Sequence, residues 1–354
     1  MVKAIRVFFK FLSAIIALAM VVLAIVLGLA VYFNSPPERA PFPLEESMRL
    51  EKDGELFIEI RDGESASSVG RRLETAGVIR NQYFWYLLFR LDNEQIKTGS
   101  YKFELPASQI KIRSILTGGE QILVKVTIPE GVTLKKTAAI LEEAGICGAE
   151  KFLAASSSKE FLDVYHVPCP TMEGYLFPDT YLFPLGYPAS KVVQTMADTF
   201  YSRLESIYPK AGSMSAEELN TRVVVASIVE REYRVPEEAP LMAGVFFNRL
   251  KIGMALQSCA TVVYVITEIQ GKPHPEQLFN RDLEIRDPYN TYLRPGLPPG
   301  PISAPGETAL KAAFYPSSSD YLYFRLTDLN TGRHYFSRTL DDHIQAGNLY
   351  VKGR

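Results

Sequence analysis

Two stretches govern how this chain is read: residues 60–79, IRDGESASSVGRRLETAGVI, and residues 128–147, IPEGVTLKKTAAILEEAGIC. They align without a gap at an offset of 68 residues, with identities at Ile60/Ile128, Gly63/Gly131, Leu73/Leu141, Glu74/Glu142, Ala76/Ala144 and Gly77/Gly145. Each follows a short alternating apolar run, 57–60 or 124–128, that reads as a strand. A Gly turn comes next, then a helix. Ser65 and Thr133 stand where an N-cap hydroxyl would satisfy the first free N–H groups. Gly77 and Gly145 stand where a helix would end. The repeat therefore predicts two strand–turn–helix units, packed together in one α+β region over residues 54–150. Between them, residues 81–91 have an aromatic helical pattern and residues 98–105 alternate as a strand. Tyr83, Phe84, Trp85 and Tyr86 could stack on sugars, but at helical spacing such aromatics usually belong to a core.

Beyond residue 150 the texture changes. Helices are expected at 150–156, 189–207, 215–232 and 239–250, separated by Pro- and Gly-rich loops at 173–184 and 294–306. Residues 321–337 alternate and turn at Asn330-Thr331-Gly332, a hairpin signal. This half, 151–354, reads as a mainly helical domain with a few strands near its end. The fold class is α+β.

Upstream of the repeat, residues 11–37 carry no charged side chain. The run 11–33 is apolar, and 23 helical positions span about 35 Å, enough for a hydrocarbon core. A cleaved signal peptide is the competing reading, but its apolar part would be about 7–15 residues long and end at small residues. Ala30-Val31-Tyr32-Phe33 is a poor cleavage site, so a retained single-pass anchor is expected. Lys3, Arg6 and Lys10 precede it and no acid occurs before Glu38. That asymmetry places residues 1–10 in the cytoplasm and the bulk of the chain outside. Residues 34–53, rich in Pro and charge, read as a tether.

Composition narrows the function. The 354 residues are 47% hydrophobic and 22% charged, with 38 Lys+Arg against 40 Asp+Glu and a net charge of −2. That is globular and not basic, so nucleic acid is not an expected partner. Three cysteines, Cys147, Cys169 and Cys259, are too few and odd in number for a disulfide framework. A Cys147–Cys169 bridge is conceivable, and free buried thiols are favoured. The four histidines, His166, His274, His334 and His343, show no metal-ligand spacing. Zinc-protease, phosphate-loop and nucleophile-elbow signatures are absent from the sequence. No metal and no cofactor are expected.

The most unusual local feature is Val223-Val224-Val225-Ala226-Ser227-Ile228-Val229-Glu230-Arg231-Glu232. A helix apolar all round is buried all round. A carboxyl at its end loses water, holds its proton to higher pH and becomes a candidate general acid. Glu230 is that candidate, and an ion pair with Arg231 or Arg249 is the structural alternative. Glu232 lies about 200° further round a helix, so the two cannot share one face. The loop Glu173-Gly174-Tyr175-Leu176-Phe177-Pro178-Asp179-Thr180-Tyr181 mixes carboxylates with aromatics. Tyr289-Asn290-Thr291-Tyr292, followed by Gly296-Leu297-Pro298-Pro299-Gly300-Pro301-Ile302, is Pro-locked. Amides, hydroxyls and aromatics on rigid loops suit a carbohydrate groove.

Four separated motifs, ASIVERE at 226–232, FFNRLKIGMALQS at 246–258, EGYLFPDTY at 173–181 and YNTYLRPGLPPGPISAPG at 289–306, together resemble the MltG/YceG-like endolytic murein transglycosylase family. The order of anchor, LysM-like units and catalytic half also fits, and the resemblance covers nearly all of the chain after the tether. It implies an enzyme that cleaves the β-1,4 bond between N-acetylmuramic acid and N-acetylglucosamine inside nascent glycan strands. The muramyl 6-hydroxyl is then the nucleophile and a 1,6-anhydro end the product. One Glu serves as acid and then as base, so a second carboxylate at hydrolase spacing is not expected.

The family's catalytic Glu falls on Glu230, with Glu232 in reserve. Gln257 and Ser258 match the family's LQ-T/S pattern. Many relatives continue with Asp-Pro where this chain has Cys259-Ala260, so no catalytic role passes to position 259. Glu173, Tyr175, Gln257, Ser258, Asn290 and Tyr292 are the expected substrate-binding residues. Peptidoglycan strands, the membrane and cell-wall synthases are the implied partners, the location being the cytoplasmic membrane. A wall-binding scaffold that has lost the chemistry is the alternative.

Overall fold

The computed structural model describes residues 2–38, 48–50, 54–61, 63–92, 94–119, 121–328 and 330–350. The chain forms two compact units, one of Met1–Leu123 with Pro184–Pro188, the other of Val124–Phe183 with Ala189–Arg354. The architecture is mixed α+β. Most of the 34–53 stretch lies outside the described residues.

The first unit opens with α1 (Val2–Asn34). Its Phe8–Asn34 part is long and apolar enough to cross a membrane, and its side chains are not buried against the protein. Its end is tied down: Gln109 Nε2 donates to Phe33 O at 2.9 Å, and Arg80 Nε donates to Ser35 O and Pro36 O. Strand β1 (Met48–Leu50) pairs antiparallel with β2 (Glu55–Ile60). The tether reading is corrected for Met48–Leu50, which form a strand with Met48 buried. Helices α2 (Ala66–Thr75) and α3 (Gln82–Asp92) follow, and then β3 (Gly99–Glu104), antiparallel to β2 with Ile58 opposite Tyr101. Helix α4 (Gln109–Gly118) completes the unit. Alternation puts Leu56, Ile58 and Ile60 on the core face with Tyr101 and Phe103. Trp85 is fully buried and its indole N–H donates to Ala66 O at 2.9 Å, whereas Tyr83 and Tyr86 are exposed. The aromatic run is thus partly core and partly surface.

The second unit begins with β4 (Leu123–Thr127), α5 (Leu134–Glu143), α6 (Ala149–Ser156) and α7 (Lys159–Val164), and β5 (Thr180–Pro184) pairs with β4. The sequence repeat is a structural one. Strand, helices and a second strand recur in β2-α2-α3-β3 and in β4-α5-α6-α7-β5, the second copy carrying one helix more. Both caps form as read: Ser65 Oγ accepts from Ser68 N, and Thr133 Oγ1 from Lys136 N. The two copies nevertheless belong to different units, because the division falls at Leu123/Val124 and not near 150.

The rest of the second unit is a helical body: α8 (Ala189–Ile207), α9 (Ala216–Glu230), α10 (Ala239–Lys251), α11 (Cys259–Tyr264), α12 (Asn280–Leu283) and α13 (Glu307–Phe314). A hairpin of β6 (Tyr323–Leu326) and β7 (His334–Ser337), then α14 (Leu340–Tyr350), closes it. Helix α9 packs on α13 and α10, and Val223 through Val229 are all buried.

Candidate active site

Because the second half of α9, Val223–Val229, is buried on every side, its neighbours must enclose it and its last residue ends inside the unit. Glu230 is that residue. Two loops hold the helix in place. Ile302 N donates to Ser227 Oγ at 3.0 Å, and Ser303 Oγ donates to Ser227 O at 3.0 Å. Gly174, with φ +81°, brings the 173–181 loop against them so closely that a Cβ would lie 2.4 Å from Pro301 Cβ.

The same 301–306 segment reaches Glu230 itself. Gly306 N donates to Glu230 Oε2 at 2.8 Å. Burial pushes the Glu230 carboxyl up to about 7, the Gly306 N–H opposing this and the nearby Glu130 carboxylate adding to it. Among the described residues no basic side chain pairs with Glu230. Arg231 Nη1 points to Gly131 O at 3.4 Å, while Arg249 donates to Leu322 O and Leu256 O, each at 2.6 Å. The ion-pair alternative is therefore not realised. A carboxyl of this kind is half protonated near neutrality and can both give and take a proton.

Glu130 was not anticipated. It lies on the turn between β4 and α5, 100 residues upstream of Glu230, in a segment whose sequence reads only as a repeat. The turn is clasped to the loop before α13: Gly131 N donates to Ala304 O and Ala304 N to Val132 O, both at 2.8 Å. The Glu130 carboxyl occupies the space that a Cβ on Gly306 would fill.

The other expected site residues separate into two groups. Ser258 Oγ donates to Glu232 Oε1 at 2.5 Å, and Ser258 N donates to Thr291 Oγ1 at 3.1 Å. Burial raises the Glu232 carboxyl, against the Ser258 hydroxyl and the Ala260 N–H that bond to it. Gln257 is exposed, with its backbone at φ +48° and its N–H donating to Thr291 O. A left-handed conformation at a non-Gly residue is costly and needs support, which this bond helps to supply. Tyr292 Oη lies 3.1 Å from Cys259 Sγ. Glu173 is buried, both its oxygens accept from Leu134 N at the start of α5, and burial pushes it up to about 8. The charge of Arg231 acts on both Glu173 and Glu232.

Two expected groove residues are corrected. Tyr175 is fully buried, with its hydroxyl 3.0 Å from Asn220 Oδ1 and its ring against Phe200. Its aromatic ring serves the core. Asn290 is also fully buried, and its Nδ2 donates to Leu283 O and Ile285 O while Oδ1 accepts from Tyr292 N. Its amide braces the loop that presents Tyr292. All three thiols are free, Cys169 buried with its Sγ 3.1 Å from Asn220 Oδ1. Among the described residues no three His, Cys, Asp or Glu side chains converge as metal ligands.

Fold and site define an α+β protein with a long apolar N-terminal helix and a proton-retaining carboxyl at the end of a buried helix. The chain belongs to the YceG-like family, whose model matches residues 58–348. It is 28% identical over 326 residues to an endolytic murein transglycosylase of Bacillus subtilis, covering 86% of this chain and 88% of that protein. It is also 28% identical over 317 residues to an endolytic murein transglycosylase of Streptococcus pneumoniae, covering 81% of this chain. The match spans only 57% of the pneumococcal protein's length. The crystal structure of a YceG-like protein of Listeria monocytogenes superposes with a TM-score of 0.54 at 30% identity, covering 83% of this chain and 99% of that one.

Proposed function

We propose that this chain is a membrane-anchored endolytic murein transglycosylase, with Glu230 as its catalytic acid and base. The observation that carries the reading is the state of Glu230: half-buried, without a basic partner among the described residues, and pushed up to about 7. Protonated Glu230 donates its proton to the glycosidic oxygen as the bond from the muramyl anomeric carbon breaks. The 6-hydroxyl of the same muramyl ring then bonds to that carbon, and its proton passes to the Glu230 carboxylate. Atoms and charge balance without water, and the enzyme returns to its starting state. The names of the family relatives support this choice of substrate and bond.

Gln257, Ser258 and Tyr292, with Glu232 and Glu173 near them, form the substrate-binding side. The α1 helix anchors the chain in the cytoplasmic membrane, its basic flank inside and the catalytic unit outside. The β2-α2-α3-β3 unit serves as a LysM-like glycan-holding module, and cell-wall synthases are the natural neighbours of an enzyme that ends nascent strands.

The test is digestion of purified glycan strands with the full chain, followed by mass spectrometry. Glycan ends one water lighter than reducing ends are expected from the native chain, and none from Glu230→Gln. Reducing ends alone would replace the reading with hydrolysis. Strand binding without any product would replace it with a scaffold.

A further inference from the structure

We propose that Glu130, delivered by the turn of the second repeat copy, is a second functional carboxylate of this site: it lies with Glu230 against Gly306 and keeps the general acid ready to donate. The inference rests on the reading of Glu230 as the acid. Geometry carries it. Gly306 N bonds to Glu230 Oε2, while the Glu130 carboxyl lies where a Cβ on Gly306 would be. Both carboxyl groups thus lie against one glycine. The clasp between Gly131 and Ala304, and between Ala304 and Val132, fixes the turn that carries Glu130. Glu230 Cγ comes within 3.6 Å of the Cβ position on Gly131, so the same turn also packs on the acid.

The charges facing Glu230 are few. From the turn comes Glu130, which is exposed and has no ion-pair partner among the described residues. From the loop before α13 comes only the Gly306 N–H. From the chain after α9 comes Tyr233, whose hydroxyl bonds to Glu230 and to Thr308 and is pushed up to about 12 by burial and by both carboxylates. Arg231, the nearest base in sequence, is directed to Gly131 O and acts on Glu173 and Glu232. Two carboxyl groups so placed cannot both ionise at low cost. Burial and the neighbouring Glu130 together hold the proton on Glu230. Glu130 is therefore a positioning residue that acts through Glu230.

The experiment compares the full native chain with E130Q and E130D, using two readouts. The first is the pH profile of glycan cleavage. Removing the anion lowers the affinity of Glu230 for its proton, so E130Q should move the alkaline limb down by roughly half to one pH unit. E130D keeps the charge and should keep the limb. The second readout is the carboxyl 13C titration of Glu230, identified as the signal missing from Glu230→Gln, and it should show the same displacement. An unmoved limb and titration in E130Q would overturn the proposal, as would an activity loss equal at every pH. If the native chain cleaves no glycan, the functional reading fails, and the titration still decides the role of Glu130. Thermal melts of each variant confirm that the fold is retained.

Discussion

The two copies of the repeat start from one pattern and end in different roles. Both have the strand, the left-handed glycine at 63 or 131, the capped helix and the left-handed glycine at 77 or 145. In the first copy the helix covers a small sheet, and Leu73, Val69 and Trp85 fill a core that belongs to that unit alone. In the second copy the turn leaves its own sheet and clasps the loop before α13, beside Glu230. What differs is the partner of the turn and not the module. A fold element built for packing becomes part of a reactive site once a buried carboxyl is set against its turn.

The equivalent leucines, Leu73 and Leu141, are both fully buried and should show the difference between the copies most strongly. Cutting either to Ala removes core contacts and leaves a cavity, at a cost of about 2–5 kcal/mol. Leu73→Ala should loosen the first unit and leave cleavage of short soluble glycans nearly intact. Leu141→Ala should destabilise the second unit and cut cleavage along with it. Thermal melts paired with product assays check this. Equal loss of cleavage in both variants would remove the functional distinction between the copies.

A smaller effect follows from the acid itself. The folded-state pKa of Glu230 is raised to about 7 from an ordinary 4.5. The folded protein then binds more protons than the unfolded chain between those values, so this group's contribution to stability falls as pH rises from about 4.5 to 7. Glu230→Gln removes that dependence. The variant should match the native chain near pH 4 and be more stable above pH 7, by on the order of 3 kcal/mol. Denaturant unfolding at pH 4 and pH 8 measures it, and a variant no more stable at pH 8 would mean that Glu230 is ordinarily ionised. A gain in stability with a loss of activity is the mark of a group held in an unfavourable place for its chemistry.

Much of this was legible in the sequence where the cause is local. The buried end of α9 and its terminal Glu230 follow from a run that is apolar but for Ser227, and the caps at Ser65 and Thr133 follow from hydroxyls before helical patterns. The rest depends on distant pairings. Glu130 carries no local mark of function, since its role arises from a clasp to residues more than 170 positions away. Tyr175 and Asn290 sit in motifs of groove-like composition, and only the packing shows that both are core braces. Met48 joins a sheet because β2 offers it an edge, whereas its neighbours in sequence read as tether. The domain boundary moved for the same reason: the repeat is a sequence relation, and the units are defined by which surfaces meet.

The smallest predicted effect tests the part that the copies share. Ser65→Ala and Thr133→Ala each remove one acceptor from a helix N-terminus, at about 1 kcal/mol apiece. The stability costs should be nearly equal, because the capped groups, Ser68 N and Lys136 N, are the third helical N–H in each case. The consequences should not be equal. At α5 the first helical N–H, that of Leu134, is held by Glu173, a buried carboxyl pushed up to about 8. Fraying α5 at Thr133 weakens that bond and the turn beside it, so Thr133→Ala should lower glycan cleavage severalfold while Ser65→Ala leaves it unchanged. Equal activities in the two variants would show that the turn at Glu130 keeps its place without the helix behind it, and that its clasp to Ala304 is sufficient.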